Sequence, residues 1–112
     1  MTYTEVATMV ASIGLPYAYY QFPEGTSQEP PFVCFFYTNT DDLYADGENY
    51  QRIPTLNIEL YTSEKDFTQE AALEEVLKNN GLTYYKEENY IASESMWQIA
   101  YEMEVIINGE QG

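Results

Sequence analysis

Ten residues near the middle of the chain, Asp41-Asp42-Leu43-Tyr44-Ala45-Asp46-Gly47-Glu48-Asn49-Tyr50, gather acidic side chains around one glycine. Calcium takes six or more oxygens from closely spaced residues, and a glycine permits the sharp turn around the ion. Setting the glycine of the calcium-loop pattern D-x-[DN]-x-[DN]-G-x5-E on Gly47 puts Asp42 and Asp46 at ligand positions. Tyr44 then occupies the middle ligand position and Ile53 the closing one, where a bidentate carboxylate is needed. A strand-like segment follows and leaves no room for the exiting helix of an EF-hand. The stretch therefore reads as an acidic connection between two strands, with no metal bound.

Other candidate chemistry is thin. Glu102 and Glu104 lie two apart on a predicted strand and share a face, the arrangement a glycosidase would need around a sugar. The same spacing describes a solvated strand face, which is the reading adopted here. Cys34 sits among Val33, Phe35 and Phe36, and the chain has no histidine to activate it. The absence of histidine also removes the commonest general base and transition-metal ligand. No phosphate-binding loop, dinucleotide fingerprint or serine-nucleophile elbow occurs. The expectation is a protein without enzymatic activity or cofactor.

Charge narrows the field further. The 112 residues carry a net charge of -15 with only four basic side chains, Arg52, Lys65, Lys78 and Lys86. So few cations cannot neutralise a run of phosphates, which argues against specific nucleic-acid binding. Anionic membrane surfaces repel such a chain, and no apolar run reaches the roughly 18 residues of a span. The N-terminus has neither the basic start nor the apolar core of a secretory signal. One cysteine allows no internal disulfide, so synthesis inside the cell is expected. With 45% hydrophobic residues the chain can still bury a core.

Residue periodicity supplies the elements. Val6, Met9, Val10 and Ile13 make one apolar face of a helix over residues 2–13; Thr2 and Glu5 form its capping box, and Gly14 and Pro16 end it. A short strand is predicted over Tyr17–Phe22, then a loop from Pro23 to Pro31. Phe32–Tyr37, "FVCFFY", is apolar on both alternating sets, as in a strand that is covered on both faces or that meets a partner subunit. Residues Ile53–Thr62 alternate, with Leu56, Ile58 and Leu60 on one face. Asp66 with Gln69 opens a second helix to about Asn79, with Phe67, Ala71, Leu73 and Leu77 as its apolar arc and Gly81 at its exit. Leu82–Glu87 is a candidate strand, joined through Glu88-Asn89 and a polar turn to the clearest strand, Met96–Ile107. There Trp97, Ile99, Tyr101, Met103 and Val105 share one face. The expected fold is α+β: two helices on one mainly antiparallel sheet, a single domain over 1–112 with its core at about 3–107 and a loose tail at 108–112.

Of the twelve tyrosines, all but Tyr3 spread along the strand regions. Strand propensity explains part of this, and tyrosine is also enriched where an apolar ring with a wet tip meets another protein.

The runs "PPFVCFFYTNTDDLYADGENYQ", "LNIELYTSEKDFTQE" and "YYKEENYIASESMWQIAYEMEV" resemble the small tail proteins of long-tailed bacteriophages and prophages of Gram-positive bacteria. Within that group the likeness is greatest to the tail-completion set, the tail terminators and tail-to-head joining proteins. It extends over about Thr4–Ile107 and rests on aromatic and acidic positions, not on a diagnostic motif. The resemblance implies an α+β virion subunit, made in the host bacterial cytoplasm. It implies a homo-oligomeric ring, commonly a hexamer, with the tail tube and the head connector as partners. On this reading Asp41, Asp42, Asp46 and Glu48 line the lumen or touch the neighbouring ring, and Phe35, Tyr37, Tyr44 and Tyr50 are the subunit-interface aromatics. Two other classes stay open: an acidic inhibitor or DNA mimic that binds a basic partner, and a small carboxylate hydrolase.

Overall fold

The computed structural model describes residues 1–23, 28–40, 43–45 and 49–108, with backbone alone at 43–45 and 49–50. Its first helix, α1 (Tyr3–Ala11), is held at the start by the capping box its sequence encodes. Glu5 N donates to Thr2 Oγ1 at 3.0 Å, and Thr2 N donates to Glu5 Oε1 at 2.7 Å. Such caps are worth about 1 kcal/mol each. Gly14, at φ +88°, turns the chain out of the helix in a conformation that side-chain-bearing residues resist. The strands are β1 (Tyr17–Tyr19), β2 (Phe32–Thr40), β3 (Leu43–Ala45), β4 (Asn49–Gln51), β5 (Pro54–Thr62), β6 (Tyr85–Ile91) and β7 (Met96–Glu104); the second helix, α2 (Phe67–Asn79), falls between β5 and β6.

Five strands form one sheet in the order β1-β2-β5-β7-β6. Every neighbouring pair is antiparallel except β1–β2, which is parallel. β3 and β4 pair as a separate two-stranded ribbon between β2 and β5, with Tyr44 opposite Tyr50. The fold is thus α+β in one compact domain.

The period-2 alternation sorts the sheet into two faces. Val33 and Phe35 of β2, Leu56, Ile58 and Leu60 of β5, and Ile99, Tyr101 and Met103 of β7 all point to one side. There they join Val6, Met9 and Val10 of α1 and Leu73 and Leu77 of α2 in one hydrophobic cluster. Burying each such aliphatic side chain stabilises the fold by about 1.5–3 kcal/mol, and the register cannot slip by one residue without turning this set to water.

Several boundaries differ from those expected. β1 stops at Tyr19 because Tyr20 adopts φ +69°, outside the strand region. β6 begins later and runs further than the Leu82–Glu87 strand expected. Glu88 and Asn89 are therefore strand residues paired to Ile99 and Gln98, and the turn falls instead at Ala92–Ser95. Phe67, placed by sequence in the apolar arc of α2, is 72% exposed, and Ala71 is exposed too. The inward face of α2 carries Glu70, Leu73, Glu74 and Leu77, the same i, i+3, i+4, i+7 spacing with two carboxylates in it.

Candidate interaction surface

Those two carboxylates meet the charges of β6. Lys86 Nζ lies 2.8 Å from Glu70 Oε1 and 2.7 Å from Glu74 Oε2, and Lys65 Nζ lies 2.6 Å from Glu70 Oε2 and also pairs with Glu88. Tyr101 donates its hydroxyl hydrogen to Glu74 at 2.7 Å. Glu70 is 2% exposed, and a carboxylate so buried is tolerable only when paired. Burial works against the charged form of Glu74, but hydrogen bonds from Lys86 and Tyr101 outweigh it and hold this carboxyl below its ordinary range. Burial likewise opposes the charge on Lys86, and the Glu70 and Glu74 carboxylates more than reverse that, raising its pKa. β6 is an edge strand, and inward-pointing charges on an edge oppose open-ended pairing with other chains. This network was missed by sequence reasoning that tracked apolar positions alone. The visible signal was Glu70 and Glu74 at i, i+4 together with Lys86 and Glu88 at i, i+2.

Among the described residues, both α-helices pack in the hydrophobic cluster and neither lies on the other face of the sheet. Phe32, Cys34 and Phe36 of β2 stand opposite Tyr61, Glu59 and Asn57 of β5, and these in turn face Gln98, Ala100 and Glu102 of β7. A chain of hydrogen bonds crosses three strands here: Asn89 Nδ2 donates to Gln98 Oε1 (3.3 Å), Gln98 Nε2 to Tyr61 Oη (2.9 Å), and Tyr61 Oη to Glu59 Oε1 (2.8 Å). The Tyr61 ring stacks on Phe32 with centroids 4.8 Å apart, and Phe22 meets Phe32 edge-on. Tyr20, tilted up by its left-handed backbone, meets Phe36 edge-on at 5.6 Å. Together with Glu94 from the β6–β7 turn these side chains enclose a depression of about 750 Å³ with Cys34 in its lining. Burial and the Glu59 charge push the Cys34 thiol up to about 11, so it is a poor nucleophile.

Exposed aromatics concentrate at the two sheet edges. Tyr17 and Tyr19 belong to β1 and Tyr20 follows it, while Tyr85 (84% exposed) and Tyr90 belong to β6.

The residues singled out from sequence fall in different places. Phe35 is 7% exposed within the protein's own core, so its ring is already committed inside the subunit. Tyr37 is half-buried against that core, in edge contact with Tyr3 of α1. Tyr44 and Tyr50 are cross-strand partners in the ribbon, and their side chains lie outside the described structure. Asp41, Asp42, Asp46 and Glu48 lie outside the described residues. Glu102 and Glu104 are both exposed, and Glu104 stands opposite Thr55 at the end of β7. Among the described residues no group of three or more acidic or cysteine side chains is placed to hold a metal ion, and no helix is long and apolar enough to cross a membrane.

No protein-family model matches the chain, and no curated protein is similar to it. Its fold is similar to that of a chain in a solved structure, the virion of a native gene transfer agent (GTA) particle. The TM-score is 0.57 at 15% identity, over 92% of this chain and 86% of that one. At that identity the likeness is one of fold.

Proposed function

We propose that this protein is a virion structural subunit, a tail terminator or head-to-tail joining protein that assembles as a ring at the end of a phage tail tube. The observation that carries the reading is the fold shared, nearly end to end on both chains, with a component of a virion particle. The two tyrosine-bearing edges support it. A closed ring needs a head-to-tail contact between two different surfaces of each copy. The β1 edge and the β6 edge are two such surfaces at opposite ends of the sheet, each with exposed aromatic rings. A net charge of -15 suits a passage that DNA must cross without adhering, because like charges repel at short range. In this role the protein needs no cofactor and performs no catalysis.

The test is assembly. Light scattering across a concentration series, with and without purified tail tubes, should show rings or tube-capped ends, and the double variant Tyr19→Lys/Tyr85→Lys should lose them while remaining folded. A chain that stays monomeric at high concentration and ignores tail tubes would end the reading. Salt-sensitive one-to-one binding to a basic protein would transfer it to the class of acidic inhibitors.

A further inference from the structure

We infer that the depression on the uncovered sheet face is a docking site for an arginine side chain of another protein. Two observations point there. The first is chemical. Aromatic rings of Tyr20, Phe32, Phe36 and Tyr61 line the space together with the carboxylates of Glu59 and Glu94, and among the described residues no cation lines it. A guanidinium is the side chain that satisfies both elements, since it stacks on aromatic faces and pairs with a carboxylate through a fixed fork of donors. The second is preorganisation. Glu59 is held by the Tyr61 hydroxyl, itself held by Gln98 and Asn89, and the Tyr61 ring is fixed by its stack on Phe32. Tyr20 keeps a backbone conformation that costs a bulky residue free energy, and in doing so sets its ring against Phe36. Strain of this kind collects at binding sites, where the rest of the fold enforces it.

Charge complementarity points to a basic protein as the occupant, because a second copy would bring a net charge of -15 to an acidic depression. Two of the four cations of this chain, Lys65 and Lys86, are bound in ion pairs on the far side of the sheet. Two copies meeting face to face would oppose Glu59 and Glu94 to themselves. The inference is independent of the virion role proposed above.

The probe is the blocked tripeptide acetyl-Gly-Arg-Gly-amide, titrated into the ¹⁵N-labelled full chain, with its citrulline analogue as the neutral isostere. Saturable amide shifts confined to Cys34, Phe36, Glu59 and Ala100 are expected, with a dissociation constant in the millimolar range. Binding should weaken at least about tenfold in Glu59→Gln, as loss of one charge-assisted contact requires, and in Phe36→Leu. It should be unchanged in Glu104→Gln, whose carboxylate lies outside the depression, and absent with the citrulline peptide. Glu59→Gln keeps an acceptor for Tyr61, and its dispersed amide spectrum will show that the fold survives. Shifts that spread over the whole acidic surface, or that persist in Glu59→Gln, would overturn the site. Tighter binding of free arginine than of the blocked peptide would make this a small-molecule site and overturn the assignment to a protein partner. Loss of self-association in Arg52→Gln would give the depression to a second copy and overturn it equally.

Discussion

Lys86 of the edge strand β6 lies 2.8 Å from Glu70 of α2, a carboxylate with 2% of its surface exposed. Lys65 pairs with the other oxygen of the same carboxylate at 2.6 Å, so Glu70 is neutralised from two sides. Removing one lysine leaves the other in place. Removing both strands a buried charge, for which the penalty is about 3–5 kcal/mol. Both lysines are partly solvated, so Lys65→Met/Lys86→Met should fall at the low end, about 3 kcal/mol, lowering Tm by about 10 °C. Adding Glu70→Leu should recover most of that loss, because the apolar replacement needs no partner. Thermal unfolding of the double and triple variants measures both. A triple variant no more stable than the double would mean that the lysines act through packing of their stems and not through the Glu70 charge.

The same network sets the pH dependence. The folded pKa of Glu74 is depressed below 4.5, so its contribution is present above the unfolded value and lost as the pH falls through the folded one. Lys86 is raised above 10.5, so its contribution is complete below the unfolded value and lost as the pH rises through the folded one. Stability owed to these pairs should therefore be level between about pH 5 and pH 10 and fall on either side. Protonating the many other carboxylates relieves self-repulsion and works against the acid arm, so comparison with a variant isolates it. Glu74→Gln should show a shallower loss between pH 5 and pH 3 in urea titrations. An unaltered acid slope would remove Glu74 from the account.

How much of this was legible beforehand depends on the kind of signal. The capping box at Thr2 and Glu5, the Asp66 cap and the alternation of Leu56, Ile58 and Leu60 are local patterns, and each appears in the structure as read. Phe67 misled because an apolar residue at the start of an amphipathic helix looks buried; it lies beside Lys65 instead, whose ammonium sits 4.9 Å from its ring centroid. Glu70 was missed for the opposite reason, since a buried carboxylate is legible only when its partners on β5–α2 and β6 are known to be near. The depression was out of reach of sequence for a third reason. Its walls come from the β1–β2 link, β2, β5 and the β6–β7 turn, and only the sheet order brings them together. The residues of "FVCFFY" did announce two apolar faces; Val33 and Phe35 take the core side, and Cys34 and Phe36 line the depression.

Cys34 offers a simple reporter of that second face. Burial, and then the nearby Glu59 carboxylate, raise its pKa from 9.0 to about 11. Two units correspond to about a hundredfold less thiolate at neutral to mildly alkaline pH. Alkylation by iodoacetamide at pH 8 should therefore run at least about a hundredfold slower in the native protein than in urea. Glu59→Gln should speed the native reaction only modestly, because it removes the charge and leaves the burial. Labelling as fast as in the unfolded chain would mean that the depression opens readily to solvent and reagent.

The remaining prediction concerns Asp41, Asp42, Asp46 and Glu48, proposed from the sequence to meet passing DNA or a neighbouring ring. They stand between β2 and β5, in the connection that also contains the β3–β4 ribbon. Together they supply four of the nineteen acidic residues. Replacing all four by asparagine or glutamine removes charge without removing size. Less self-repulsion favours the compact state, so Tm should hold or rise slightly. Calcium at millimolar concentration should stabilise neither form beyond the effect of a neutralising salt. A specific ion would add about 2.7 kcal/mol at a hundredfold excess over its dissociation constant, and the positions of Tyr44 and Ile53 argue against one. The defect belongs in the particle: heads and tails left unjoined if the loop sets docking register, or joined particles that eject DNA poorly if it lines the passage. Counting joined particles by electron microscopy and measuring infectivity separates the two. Normal yield together with normal infectivity would leave the segment as an acidic connection between strands and nothing more.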